Sequence, residues 1–397
     1  MKQGWHINKL GDLYPLKTGK TPSRGDASLW DTKKATNNLW VSIADISANE
    51  GKAITDTKEY ISDKACDKFP MVPEGTLLVS FKLSLGRMSF VGKALRTNEA
   101  ILSLSPISEI NQRFLYYYFL FFDWDKAAEG DVKVKGKTLN QKKLAEIPIL
   151  YPSISEQQRI VSLLDAEFAK VDALKANAEK NLQNAKDLFQ AVLKKELEPK
   201  EGWSATAISN ISKSSENIKW KNVDASEKFK YIDLTSVDRS SHSIVDPQII
   251  TSQNAPSRAQ RIVKTNDVIF ATTRPTLKRL CIISKEYDGN ICSTGFCVIR
   301  PHLSVLPKWI YYNLSTEEFY DYVEPLQTGA TYPAITDNDI RNYTIYLPSI
   351  EDQQSIVARL DTLNEKCKTL QANYEKTLTL CDDLKQALLR KAFIGEI

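Results

Sequence analysis

Two Gly-Lys-Thr tripeptides, Gly19-Lys20-Thr21 and Gly136-Lys137-Thr138, have the plainest claim on chemistry in this 397-residue chain. The tripeptide closes the loop that cradles nucleotide phosphates, but that loop also needs a glycine five residues before the Gly-Lys. Tyr14 and Asp131 stand there instead, so neither stretch is read as a nucleotide site. His6, His242 and His302 have no metal-ligand spacing. The six cysteines, at 66, 281, 292, 297, 367 and 381, form no Cys-x-x-Cys pair, which argues against a zinc site or a disulfide framework and suits reducing cytoplasm. There is no Gly-x-Ser-x-Gly, no dinucleotide fingerprint and no Asn-Pro-Pro-Tyr of adenine methyltransferases. What remains is cationic. Arg258, Arg261, Lys264, Arg274, Lys278 and Arg279 enclose a single acid, Asp267, and Lys126, Lys133, Lys135, Lys137, Lys142 and Lys143 form a second, mixed cluster. For each cluster taken alone, a solvated loop and a polyanion contact are equally open.

The elements that must carry these residues belong to a globular chain of two or more domains. It is 42% hydrophobic and 26% charged. No apolar run reaches the roughly 18 residues of a membrane helix, and the N-terminus lacks an export segment, so a cytoplasmic protein without a membrane partner is expected. Of the net charge of +4, the excess lies in residues 1–152, with 22 Lys and Arg against 17 Asp and Glu. This is compatible with a polyanionic partner without requiring one.

Self-comparison exposes a tandem repeat. Pro152-Ser153-Ile154-Ser155-Glu156-Gln157-Gln158 recurs as Pro348-Ser349-Ile350-Glu351-Asp352-Gln353-Gln354, and the offset of 196 holds to Lys195 and Lys391. Upstream the match is looser: Gly4-Trp5 answers Gly202-Trp203, Leu115-Tyr116-Tyr117 answers Ile310-Tyr311-Tyr312, and Gly136-Lys137-Thr138 answers Gly329-Ala330-Thr331. The matched segments predict long helices capped by Ser153 and Ser349. Their apolar seam runs through 160, 164, 171, 174, 178, 182, 185, 188 and 192, and through 356, 360, 363, 367, 370, 374, 378, 381, 384 and 388, with a stutter near 178 and 374. So narrow a seam calls for one partner helix, either its own repeat or its own domain. The segments between read as mixed α and β, with strands at 39–43, 76–81, 231–234, 268–273 and 296–300 and aromatic helices at 111–123 and 306–319.

Variable domain, Pro-x-x-x-x-Gln-Gln helix, variable domain and second helix together resemble the specificity subunit of Type I restriction–modification systems over essentially the whole chain. Leu150 to Ile160 and Leu347 to Ile356 look like the family's P-L-P-x-x-E-Q-x-x-I start of each helix, with Asp352 where Glu is usual. Gly19-Lys20-Thr21-Pro22-Ser23 resembles its G-x-T-P-S turn, and Ser84-Leu85-Gly86-Arg87 its glycine-containing loop after the central strand; in the second domain Arg274 to Arg279 lacks the glycine. The resemblance implies an α+β chain with two mixed α/β target recognition domains, 1–152 and 199–347. Two conserved helices, 153–198 and 348–397, would form an antiparallel coiled coil with pseudo-two-fold symmetry. It implies a non-enzymatic subunit that reads a bipartite, asymmetric site in double-stranded DNA. Two methyltransferase subunits, which bind S-adenosylmethionine, and motor-nuclease subunits would be its partners, with no cofactor on this chain. Candidate DNA contacts are Lys20, Arg24, Lys82, Ser84 and Arg87 in the first domain, with Lys133, Lys135 and Lys137 on a second loop. In the second domain they are Arg258, Arg261, Thr273, Arg274, Lys278 and Arg279. A coiled-coil scaffold presenting two domains to something other than DNA, and an enzyme with an unsigned active site, stay open as alternatives.

Overall fold

The repeat folds as two compact units, residues 1–178 with 376–397 and residues 179–375, so each unit owns a mixed domain and part of both long helices. The computed structural model describes residues 4–129, 132–133 and 136–394. The helices span Ile154–Leu197 and Ile350–Ile394. They run antiparallel. In the first unit Lys175 bonds Asp382 at 2.7 Å while Asp172 bonds Lys385; in the second Arg359 bonds Glu196 at 2.6 Å.

The seam differs from the one expected. Leu164, Val171, Ala178 and Ala185 are buried at intervals of seven, and the residues four further on, Phe168, Lys175, Leu182 and Phe189, are half-buried. The second helix repeats this, with Leu360, Cys367 and Cys381 buried and Asn364, Gln371, Leu378 and Lys385 half-buried. The alternation of four and three is unbroken, so the stutter is absent. Leu174, Leu188, Leu370 and Leu384 are 50%, 48%, 41% and 46% exposed. Their slots go to neighbours with long or aromatic side chains: the stems of Lys175 and Lys385 fill the seam while their ammonium groups reach acids on the facing helix.

The repeated glutamine is structural. Gln157 is fully buried; its carbonyl accepts from the Asn111 amide at 2.8 Å and its amide donates to the carbonyls of Glu109 and Pro152 at 2.8 and 2.9 Å. Gln353 does the same with Leu306, Ser304 and Pro348 at 2.9, 3.2 and 3.1 Å. Each glutamine ties the first turn of a long helix to the start of an aromatic helix. That helix is Gln112–Phe121 in the first unit and Pro307–Asn313 in the second. The second stretch, expected as one helix to 319, breaks because Thr316 accepts from the Phe319 amide and caps a new helix, Glu317–Val323. Similarly a Ser42–Asp45 capping box ends the expected strand at Leu39–Val41 and starts a helix, Ile43–Ala48.

In the first unit a five-stranded sheet has the order Lys17–Thr18, Ile101–Leu104, Leu77–Ser80, Met88–Val91, Ala53–Ile54. The second has Ser212–Lys213, Phe296–Pro301, Val268–Ala271, Leu280–Ile282. Both central strands are buried throughout, because successive side chains enter different cores. Leu77 and Val79 pack with Phe114, Ile160, Leu164, Leu389 and Phe393, whereas Leu78 packs with Leu39, Ile46 and Ile54. Val268 and Phe270 likewise join Trp309, Ile356 and Leu360, while Ile269 joins Ile232 and Val263.

Candidate nucleic-acid interface

Beyond its central strand each unit builds the same surface from neighbouring loops. In the first, Lys82–Leu83 pairs antiparallel with Gly136–Thr138, whose other neighbour is Val132–Lys133. Leu83 adopts a left-handed φ of 67° and is 53% exposed. Gly86 turns the chain back, and a Cβ there would collide with the Trp124 indole. On the other side, the Phe81 amide donates to the Ala100 carbonyl at 3.1 Å and the Lys20 amide to the Thr97 carbonyl at 2.8 Å. Gly19 allows that approach, since a Cβ would overlap the Thr97 carbonyl. The Thr21 hydroxyl donates to the Glu99 carboxylate. That bond first, then a backbone hydrogen bond and the charge of Lys82, hold Glu99 below the usual carboxylate range. Lys20, Lys82 and Ser84 therefore share one surface with Thr21 and Glu99. Lys20, Ser84 and Glu99 are exposed and Lys82 is half-buried.

Arg24 lies beside this turn. Its guanidinium stacks 4.0 Å from the centre of the Trp30 ring and is bonded through two nitrogens to Glu59. The Trp40 indole, edge-on to Trp30, donates to the Lys20 carbonyl at 3.1 Å. Arg87 pairs with Glu50 at 2.9 Å. Lys135 lies outside the described residues, and of Lys133 and Lys137 only the strand positions are described.

In the second unit Thr273 bridges to Ala334, the Arg274 amide donates to the Pro333 carbonyl at 2.7 Å and the Ile335 amide to the Thr272 carbonyl at 2.9 Å. The loop 272–279 is thus paired with the loop 328–335, as 82–83 is paired with 136–138. The Thr272 amide reaches the Gly295 carbonyl at 2.8 Å, and the Thr294 amide reaches the Arg258 carbonyl at 2.9 Å. Arg274, with φ 50°, lies 5.0 Å from the centre of the Tyr332 ring; Tyr332 is 67% exposed. Arg258 and Arg274 are exposed and Thr273 is half-buried. The remaining candidates have internal partners. Arg261 pairs with Asp337 at 2.5 Å, Lys278 pairs with Glu317 at 2.6 Å, and Arg279 donates to the carbonyls of Leu234 and Val237.

Tyr332 and Glu99 escaped sequence reasoning. The signal for Tyr332 was the alignment of Gly329-Ala330-Thr331 with Gly136-Lys137-Thr138; Glu99 had none.

Other chemistry is scarce. Among the described residues no three His, Cys, Asp or Glu group to hold a metal ion, and no helix is long and apolar enough to cross a membrane. All six cysteines are unpaired, and burial pushes the thiols of Cys281 and Cys297 up to about 12, which keeps them neutral.

A family model described as Type I restriction modification DNA specificity domain matches the chain twice, over residues 2–184 and 200–380. The Type I restriction enzyme MjaIX specificity subunit of Methanocaldococcus jannaschii is 22% identical over 99% of this chain and 93% of that protein. The EcoDI specificity subunit of Escherichia coli is 23% identical over 99% and 88%. In fold, the chain is similar to one solved in a study of complex assembly and conformational transition of the type I R-M system, with TM-score 0.77, 19% identity and coverage of 100% and 99%. It is also similar to the HsdS subunit from Thermoanaerobacter tengcongensis, with TM-score 0.58, 19% identity and coverage of 100% and 98%.

Proposed function

The chain belongs to the family of Type I restriction modification DNA specificity domains, and from that premise we propose that each unit meets one half of a bipartite, asymmetric site with its paired-loop surface. As a specificity subunit it is the non-catalytic component of its complex, recognises the DNA target through two recognition domains and carries no cofactor of its own. We draw those domains as 1–152 and 199–347, and the helices between and after them as 153–198 and 348–397.

One observation carries the reading. The loop after the central strand is paired with a second loop in both units, yet the side chains offered there differ: Lys20, Lys82 and Glu99 in one, Arg258, Arg274 and Tyr332 in the other. A shared frame with exchanged side chains suits two domains that read different sequences. Cations would hold phosphates and a few other groups would meet base edges. Arg24, Arg87 and Lys278 would reach phosphate only by exchanging Glu59, Glu50 and Glu317, whereas Arg261 and Arg279 serve the fold.

The long helices offer the partner surface. Four exposed leucines of the helices, Leu174, Leu188, Leu370 and Leu384, each directly precede a half-buried seam residue, so Leu174 and Leu384 flank one side of the helix pair in the first unit, and Leu188 and Leu370 do so in the second. One apolar pair per unit suits two copies of a methyltransferase, with motor-nuclease subunits joining the assembled complex. Six unpaired cysteines suit the reducing cytoplasm, where such a complex meets DNA.

The test is salt dependence of DNA binding by the chain assembled with its methyltransferase. If Lys20, Lys82, Arg258 and Arg274 each neutralise one phosphate, changing all four to Ala reduces the slope of log affinity against log salt by about 3.6. Arg261→Ala destabilises the second unit and leaves the slope unchanged. An unaltered slope in the fourfold variant refutes the assignment.

A further inference from the structure

We infer that Glu99 reads a cytosine: its carboxylate accepts a hydrogen bond from the exocyclic N4 amine of one base in the half-site that the first unit meets. The inference rests on the paired-loop surface facing DNA and goes further, to a single base.

Glu99 is the only acid in the four segments that build this surface, 19–23, 81–84, 97–100 and 136–138. It is exposed, between the Lys20 turn and Lys82. An ionised carboxylate on a surface that meets phosphates is repelled by them, so it is tolerated there only where DNA presents a hydrogen-bond donor. Two neighbours settle its state and its aim. The Thr21 hydroxyl donates to Oε2 and, with a backbone hydrogen bond, fixes the carboxylate, which is exposed and keeps lone pairs to accept from outside. Lys82 supplies a positive charge that favours the ionised form.

The chemistry of the major groove then selects the base. A carboxylate can only accept. Guanine offers N7 and O6, both acceptors, and thymine offers O4 and a methyl group. Adenine offers the N6 amine beside the acceptor N7, a pattern that suits an amide with its own donor. Cytosine offers the N4 amine with no acceptor beside it, and so matches a lone carboxylate. In the second unit the corresponding stretch is Ser293-Thr294-Gly295, without an acid, so the reading is confined to one half-site.

The test is selection from a DNA duplex library randomised across both half-sites, using the full chain assembled with its methyltransferase. The wild-type complex should enrich C·G over other pairs by about tenfold or more at one position of one half-site. Glu99→Gln, which adds a donor, should admit adenine there as well as cytosine and lower the preference between them to about threefold or less. The other half-site should be unchanged. Identical enrichment by wild type and Glu99→Gln overturns the inference while leaving the DNA-facing surface intact. A wild-type complex that enriches no sequence overturns both. Thr21→Val keeps the carboxylate and removes the donor that aims it; it should weaken the cytosine preference without admitting adenine, and it decides the matter if Glu99→Gln fails to fold. An undiminished preference in Thr21→Val counts against the inference.

Discussion

Replacing Gln353 by alanine removes three hydrogen bonds of a fully buried side chain at once, to the Leu306 amide and to the Ser304 and Pro348 carbonyls. A net contribution of about 1 kcal/mol for each gives about 3 kcal/mol, and the buried Pro348 carbonyl, left without its donor, adds to the cost. At 1.4 kcal/mol per tenfold change, local opening where the aromatic helix meets the long helix becomes roughly 100-fold more frequent. Hydrogen exchange with mass spectrometric detection reads this directly, because the Leu306 amide donates to the lost carbonyl oxygen. Peptides covering 304–310 should exchange roughly 100-fold faster, while those in the first unit are unchanged. The neighbour supplies the control. Gln354 is exposed, so Gln354→Ala should alter stability by no more than about 0.5 kcal/mol. The same contrast should separate Gln157→Ala from Gln158→Ala in peptides around Asn111. Equal effects of the two glutamines, or a change below about tenfold at Leu306, would refute the claim that the first glutamine is the key.

Alkaline unfolding should fall between about pH 10 and 12. Burial pushes the hydroxyls of Tyr118 and Tyr311 up to about 12, against about 10 in an unfolded chain. Their contribution is full below pH 10 and is lost as pH rises through 12. Tryptophan fluorescence across that range checks this, and Tyr118→Phe, which removes one titrating group, should flatten the decline. Changing Leu174 and Leu384, or Leu188 and Leu370, to Glu should shift stability by no more than about 0.5 kcal/mol per site, since both members of each pair are exposed. The same changes should weaken methyltransferase binding by about tenfold or more, measured by sedimentation. Unchanged assembly would exclude this face as the dock.

The architecture was legible because repetition is visible without knowing any contact. The 196-residue offset located both long helices and the two domains, and the Gly-Trp and Tyr-Tyr matches placed corresponding elements. Hydrophobicity alone puts Leu174, Leu188, Leu370 and Leu384 in the seam, yet all four are exposed; Lys175 and Lys385 sit there instead, and nothing in their residue type says so. The candidate cations were legible as clusters but not as individuals. Whether Arg261 is free depends on Asp337, 76 positions away, and Arg24 depends on Glu59. Such pairings are made by folding and leave no spacing to read. Glu99 was invisible for the same reason, since its meaning comes from Thr21, 78 positions earlier.

The first unit closes around a residue encoded after the whole of the second unit. Phe393 packs between Phe114, Tyr118 and Phe121, with ring centres 5.3 to 5.5 Å apart, beside Leu389 and Ala392. During translation that core waits for its last wall until residues 376–394 have been made, whereas residues 179–375 form a continuous unit that can close earlier. At bacterial to eukaryotic synthesis speeds the wait is roughly 10–40 s, during which the aromatic helix 112–121 is left partly uncovered. The domain encoded first is therefore finished last. A released chain truncated after residue 375 should be protected from protease in its second domain and cut in its first, and chaperones that hold exposed aromatic surface should engage the helix 112–121.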